Sequence, residues 1–115
     1  MEEEKSFFVK VLGNYPLIKV LDFLLTFREF DYPLTEIAEN SGVGWSTLHS
    51  FWNELVKAKI VIQTRQIGRA KLYKLNMENP IVQELIALDD KITEYFTKEI
   101  IEEELGKKEK IPVPV

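Results

Sequence analysis

Apolar residues recur along this chain at spacings that switch between helix and strand, and the switches predict its elements. Residues 6–12, SFFVKVL, are a short apolar run that either opens a helix or lies as an arm across a partner. Asn14-Tyr15-Pro16 reads as a helix start, since proline at the first helical position lacks only an N–H that has no intrahelical acceptor there. Leu17, Val20, Leu21, Leu24, Leu25 and Phe27 follow at helical spacing and predict an apolar helix to about Phe30. Asp31-Tyr32-Pro33 breaks it into a short extended piece, because the residue before proline avoids the α region. Thr35 is the predicted N-cap of the next helix, with Glu36 in its first turn, Ile37 and Ala38 inward, and Gly42 as its left-handed terminator. A further helix, starting near Gly44 or Trp45, carries Leu48, Trp52, Leu55 and Val56 on a single stripe.

Beyond that helix the period shortens to that of strands. Residues 61–66, VIQTRQ, and 70–75, AKLYKL, flank Ile67-Gly68-Arg69 and predict a two-stranded hairpin. Asn79-Pro80 is the clearest helix start in the chain, with asparagine as cap and proline behind it. Ile81, Leu85, Leu88, Ile92 and Tyr95 then repeat in alternating steps of four and three, a heptad-like seam. Glutamates at 99 and 102 interrupt it, and the apolar stripe drifts to Phe96, Ile100 and Ile101, as a straight helix permits. The helix is expected to end near Gly106, giving a C-terminal helix over 79–105. Residues 107–115, KKEKIPVPV, read as a flexible tail, charged and then proline-rich. The expected organisation is one domain over 1–106 with its core at 14–76, mainly α with a small β-hairpin.

Within that frame Ala38, Gly42 and Leu48 have the spacing of a helix-turn-helix. Alanine lets two helices approach, glycine takes the positive φ of the turn, and the aliphatic residue fastens the second helix to the core. Followed directly by a hairpin, the motif predicts a winged helix-turn-helix. Charge sharpens this reading. The chain carries a net −4, yet residues 42–75 hold six basic residues against one acid, a net +5 between flanks of −4 and −5. A basic patch on an acidic body is what a duplex-DNA reader needs, because phosphate contacts supply most of the affinity.

On the second helix of the motif, Trp45, Ser46, Thr47, His49, Ser50 and Asn53 lie off the apolar stripe and are the residues free to meet base edges. Lys57 and the wing residues Arg65, Arg69, Lys71 and Lys74 are the predicted basic contacts, with Arg69 at the hairpin tip best placed for the backbone or minor groove. The seam Ile81, Leu85, Leu88, Ile92, Tyr95, with Phe96 and Ile100, belongs to a helix longer than such a core can cover and predicts a homodimer.

The stretches VLGNYPLIKVLDFLL, EFDYPLTEIAENSGVGWSTLHSFWNELVKAKIV and IGRAKLYKLNMENPIVQELIALDDKI resemble the winged-helix transcriptional regulators common in archaea, of the MarR/ArsR-like type. The segment GRAKLYKLNMENPIV is the most specific part. The resemblance implies a dimeric DNA-binding protein with residues 44–57 as recognition helix, 61–75 as wing, and flanking helices as dimer contacts.

At 115 residues the chain is long enough to bury a core without disulfides or metal, and it has no cysteine to make either from thiolates. His49 is its single histidine, so neither a metal cluster nor a Ser-His-Asp arrangement can be built within it, and no enzyme or cofactor is expected. No run approaches the length of a membrane span, and the acidic start MEEEKSFF is unlike a signal peptide, which makes the cytoplasm the expected location. The alternative function is a winged helix used for protein–protein contact in a transcription or replication assembly. The acidic total, the arginine-free second helix with its two tryptophans and the apolar seam motivate it.

Overall fold

The computed structural model describes residues 5–110, with side chains to residue 106. Its elements are α1 (Phe7–Leu12), α2 (Pro16–Thr26), β1 (Tyr32–Pro33), α3 (Leu34–Ser41), α4 (Trp45–Lys57), β2 (Val61–Ile67), β3 (Ala70–Leu75) and α5 (Pro80–Lys110). Residues 6–12 are therefore a helix rather than an arm. Ser6 caps it: its Oγ accepts from the Val9 N–H at 3.1 Å and donates to Asp22 Oδ1 at 2.8 Å, tying α1 to α2. Phe8 and Val9 are buried beneath it. The core gathers Phe8, Val20, Leu24 and Leu25 with Ile37, Leu48 and Trp52, and is closed by Val61 and Leu75 of the strands and Val82 of α5. No described helix is long and apolar enough to cross a membrane.

Three expectations at the helix ends are corrected. α2 stops at Thr26, not Phe30: the Phe27 ring turns back onto Phe23, which also meets Tyr32 at 4.9 Å, so the chain leaves the helix early to bring Tyr32 to the sheet. Arg28 Nη1 donates to the freed Leu25 carbonyl at 3.3 Å. Thr35 is not the cap of α3. Pro33 holds that position, because its pairing with Leu72 already fixes it in extended geometry, and Thr35 falls inside the first turn. α5 passes through Gly106 to Lys110, four residues beyond the expected end, while residues 111–115 of the expected tail lie outside the described residues.

The predicted hairpin gains a strand. β1 pairs antiparallel with β3, and β3 with β2, in the order β1-β3-β2. Gly68 opens the turn at φ 60° while Arg69 keeps a negative φ, as in type II′ turns, whose twist suits a hairpin. One residue of β2, Thr64, is extra: Gln63 opposes Tyr73 and Arg65 opposes Leu72, a β-bulge.

α4 is bounded by two left-handed residues. Gly42 (φ 69°) ends α3, with Gly42 N–H to the Glu39 carbonyl and Val43 N–H to that of Ala38, a Schellman motif. Lys59 (φ 58°) repeats the motif after α4, with bonds to Val56 and Leu55. Asn79 then caps α5 through Oδ1 on the Ile81 N–H at 2.8 Å. Its Nδ2 donates to the Ala58 and Lys59 carbonyls at 3.0 and 2.8 Å.

The C-terminal seam is turned from its predicted setting. Val82, not Ile81, is fully buried, Ile92 is buried, and Phe96 is half-buried beside a stacked Phe7 ring at 5.4 Å. Val56 is likewise at the surface rather than on the buried stripe of α4. Ile81, Leu88 and Tyr95, seven residues apart, form an exposed line at the edge of α5. At 1.5 Å per residue α5 is about 46 Å long, and it stretches the molecule to 68 × 34 × 22 Å.

Leu48 is fully buried, so Leu48→Ala is expected to cost roughly 2–5 kcal/mol, read as a lower urea midpoint at unchanged m-value. Asn79→Ala removes a cap and two cross-links, and is expected to cost about 1–2 kcal/mol. A cost within error in urea unfolding would show that the junction of α4 with α5 is held by packing alone.

Candidate nucleic-acid interface

The first turn of α4 follows Gly44, which supplies no side-chain cap, and Ser46 and Thr47 are exposed in that turn. Leu48 and Trp52 point into the core. Trp45, Ser46, Thr47, His49, Ser50 and Asn53, the six predicted readers, are each exposed on α4. Trp45 is half exposed (49%) and meets His49 edge-on at 4.2 Å, while Ser50 Oγ donates to the Thr47 carbonyl at 2.5 Å. Phe51 is half-buried against the core.

Beside this face the wing closes a groove of about 310 Å³, lined by Trp45 and His49 of α4, Pro33 and Leu34 at the start of α3, and Arg69, Lys71 and Tyr73 of the wing. Its floor is apolar and its cations come from the wing. The link to the core runs through Tyr73, which meets Trp52 in a T-shaped pair at 5.3 Å. Trp52 Nε1 is buried without a hydrogen-bond acceptor, and an aromatic face is the neighbour that tolerates such an edge best.

The predicted cations separate into two groups. Among the described residues no acid lies within ion-pair distance of Arg69, Lys71 or Lys74. Lys57 sits 3.6 Å from Glu54 with both side chains solvated, and contributes little to either stability or field. Arg65 is engaged: its Nε and Nη2 donate to the two oxygens of Asp31 at 2.9 and 3.1 Å, and Thr64 Oγ1 donates to the same carboxylate. These bonds hold the Asp31 carboxyl below the usual carboxylate range, Arg65 first and Thr64 second. Asp31 carried no sequence signal beyond breaking a helix, and neither its partner nor the bulge that presents that partner is written in the local pattern.

Solved structures share this architecture. Sso10a-2, a DNA-binding protein from Sulfolobus solfataricus, is similar with a TM-score of 0.49 and 20% identity, over 76% of this chain and 93% of that one. A double mutant of Lactococcus lactis ZitR is similar with a TM-score of 0.55 and 15% identity, over 80% of this chain and 72% of that one. Its apo form gives 0.56 and 15% identity over 80% of each chain. At such identities the likeness to ZitR establishes the fold, a winged helix-turn-helix with a long C-terminal helix. No protein-family model matches the chain, and no curated protein matches it.

A second group of ionisable residues lies away from the wing, in a groove of about 580 Å³ between α1, the end of α2 and α5. Partial burial raises the Asp22 carboxyl, opposed by the Ser6 hydrogen bond. Partial burial also raises Asp89, reinforced by the charges of Asp22 and Asp90 and countered by Arg28. A carboxyl raised on folding binds its proton more tightly in the native state. Stability from these two groups is therefore greatest in acid and is lost as pH climbs through the raised values. Asp89→Asn is expected to raise Tm at neutral pH and to flatten its dependence on pH just above the ordinary carboxylate range. A lower Tm at neutral pH would mean that attraction to Arg28 outweighs desolvation.

Proposed function

We propose that this chain is a sequence-specific, duplex-DNA-binding transcriptional regulator acting as a homodimer, a binding module rather than an enzyme. The observation that carries the reading is one surface. The exposed start of α4 lies beside a wing whose Arg69, Lys71 and Lys74 have no acidic partner among the described residues, in a protein otherwise acidic. In this reading α4 enters a major groove. Asn53 suits adenine, the hydroxyls of Ser46 and Thr47 suit several base edges, and the Trp45 ring suits a thymine methyl. Arg69 and Lys71 hold the backbone beside it. The sequence resemblance to archaeal MarR/ArsR-like regulators supports the same role, which belongs in the cytoplasm.

The dimer rests on the exposed line Ile81, Leu88 and Tyr95, continued past the core by Ile100, Ile101 and Leu105. Ile92 already has its cover inside the chain and drops out of the seam, with Leu85 and Phe96 half-buried at its margin. A two-fold partner is the commonest way to cover such a line. It would set two α4 helices on successive major grooves of an inverted repeat, with half-sites about 10 base pairs apart or a multiple of that.

One observation favours a second reading. The groove beside Trp45 has an apolar floor, and no Arg or Lys precedes Lys57 on α4, as a protein-docking module would have it.

Titration of a random-sequence duplex against salt separates the two readings. A DNA reader is expected to show a steep slope, and Arg69→Ala to lower that slope by about 1 while weakening all sequences alike. Salt-independent or absent binding would favour the docking module. In sedimentation, the full chain is expected to be a dimer at micromolar concentration and Leu88→Glu with Tyr95→Glu a monomer. A monomeric parent chain would remove the palindromic site from the proposal.

A further inference from the structure

Arg65 and Arg69 stand four residues apart in the same basic hairpin, yet among the described residues only Arg65 has an acidic partner. Arg65 offers two nitrogens of its guanidinium to both oxygens of Asp31, a bidentate fork whose geometry a lysine cannot reproduce. Thr64, the neighbouring residue, donates to that same carboxylate. Successive residues of a regular strand point to opposite faces and cannot share one acceptor. Here they do, because Thr64 is the extra residue of the β-bulge, where two residues of β2 oppose one of β3. Asp31 precedes β1, the strand on the far side of β3 from β2. The contact therefore reaches across the sheet and ties the outer strand of the wing to the body of the domain. The Asp31 side chain is largely covered while the Arg65 side chain is mostly exposed.

We infer that Asp31 and Arg65 form a latch that sets the angle of the wing against α4, and that Arg65 is a positioning residue rather than a phosphate contact. The bulge makes this a device of this chain's own wing. It strengthens the local twist, and the twist decides where Arg69 and Lys71, beyond it toward the tip, meet a strand of DNA. The DNA-binding arm of this inference rests on the function proposed above. The positioning arm does not.

Binding of the full chain to a random-sequence duplex across a salt series tests it, alongside amide hydrogen exchange of the free protein. Arg65→Ala and Asp31→Ala are each expected to weaken binding severalfold at every salt concentration, with the parent's slope retained. Their combination is expected to be no weaker than either alone, since the two act as a unit. Arg65→Lys keeps the charge but not the fork and is expected to match Arg65→Ala, whereas Arg69→Ala lowers the slope by about 1. Exchange across residues 64–72 is expected to quicken in all the Asp31 and Arg65 variants while α4 keeps its protection. The latch is overturned if Arg65→Ala lowers the slope and Arg65→Lys restores it, or if wing exchange is unchanged in the variants. A parent chain that binds no duplex would sink the proposed function instead, and the exchange data would still decide the latch.

Discussion

The structure turns on the reversal at Lys59. A residue with a Cβ in the left-handed region costs about 1 kcal/mol or more, and the chain accepts this at φ 58° because many bonds close there. The Lys59 and Ile60 N–H groups satisfy the last carbonyls of α4. The Lys59 carbonyl receives the side-chain amides of both Asn76 and Asn79, and the Ile60 carbonyl receives the Asn76 N–H. The end of α4, both ends of the wing and the start of α5 thus meet at one turn. The direction of the 31-residue α5 and the placement of the wing both follow from it. At the other end of α4 the Gly42 turn is braced by Lys19, whose Nζ donates to the Gly42 carbonyl at 3.1 Å. With both ends fixed and Leu48 and Trp52 in the core, α4 has no freedom to rotate, and its exposed face is determined.

Much of this was legible in the sequence because the signals were local. Proline and asparagine at the starts of α2 and α5, glycine at the left-handed end of α3, and the Leu48–Trp52 spacing each act within one turn of helix. What the sequence hid depends on contacts between distant residues. Tyr32 and Pro33 carry no strand pattern, being two residues long, and become a strand only because β3 offers an edge. The same pairing makes Pro33, rather than Thr35, the cap of α3. On α5 the heptad rule favoured Ile81, but the core takes Val82, while α1 docks further along on Phe96, and no feature of residues 80–105 announces α1.

For the candidate site, the exposure of its residues was legible and their internal pairing was not. All six residues read as facing outward on α4 do so. Counting charges along the chain, by contrast, gave six cations of apparently equal standing between residues 42 and 75. Folding divides them: Arg65 faces Asp31, Lys57 lies beside Glu54, and Lys59 serves the turn with its backbone. Among the described residues, the wing cations left without acidic partners all belong to β3 and its turn, so the field comes from a strand and not from the helix beside it.

That division bears on how such a surface discriminates. A helix with arginines at its start holds charge and base contacts in one rigid body, and small errors in the angle of a wing matter little to it. Here α4 presents hydroxyls, an amide, an imidazole and an indole, while the charge sits across an apolar groove on Arg69 and Lys71. In the proposed role, long-range attraction and short-range readout would reside on different elements, and one duplex would meet both only at a particular separation. Two contacts hold that separation in place: Trp52 against Tyr73 from within and Asp31 on Arg65 from the side. The first rests on buried Trp52, and the second, nearer the surface, is charge-assisted and bidentate. In the proposed DNA-reading role, an acidic protein with few unpaired cations among its described residues would gain little from loose binding. Its selectivity would reside in how rigidly those few are placed.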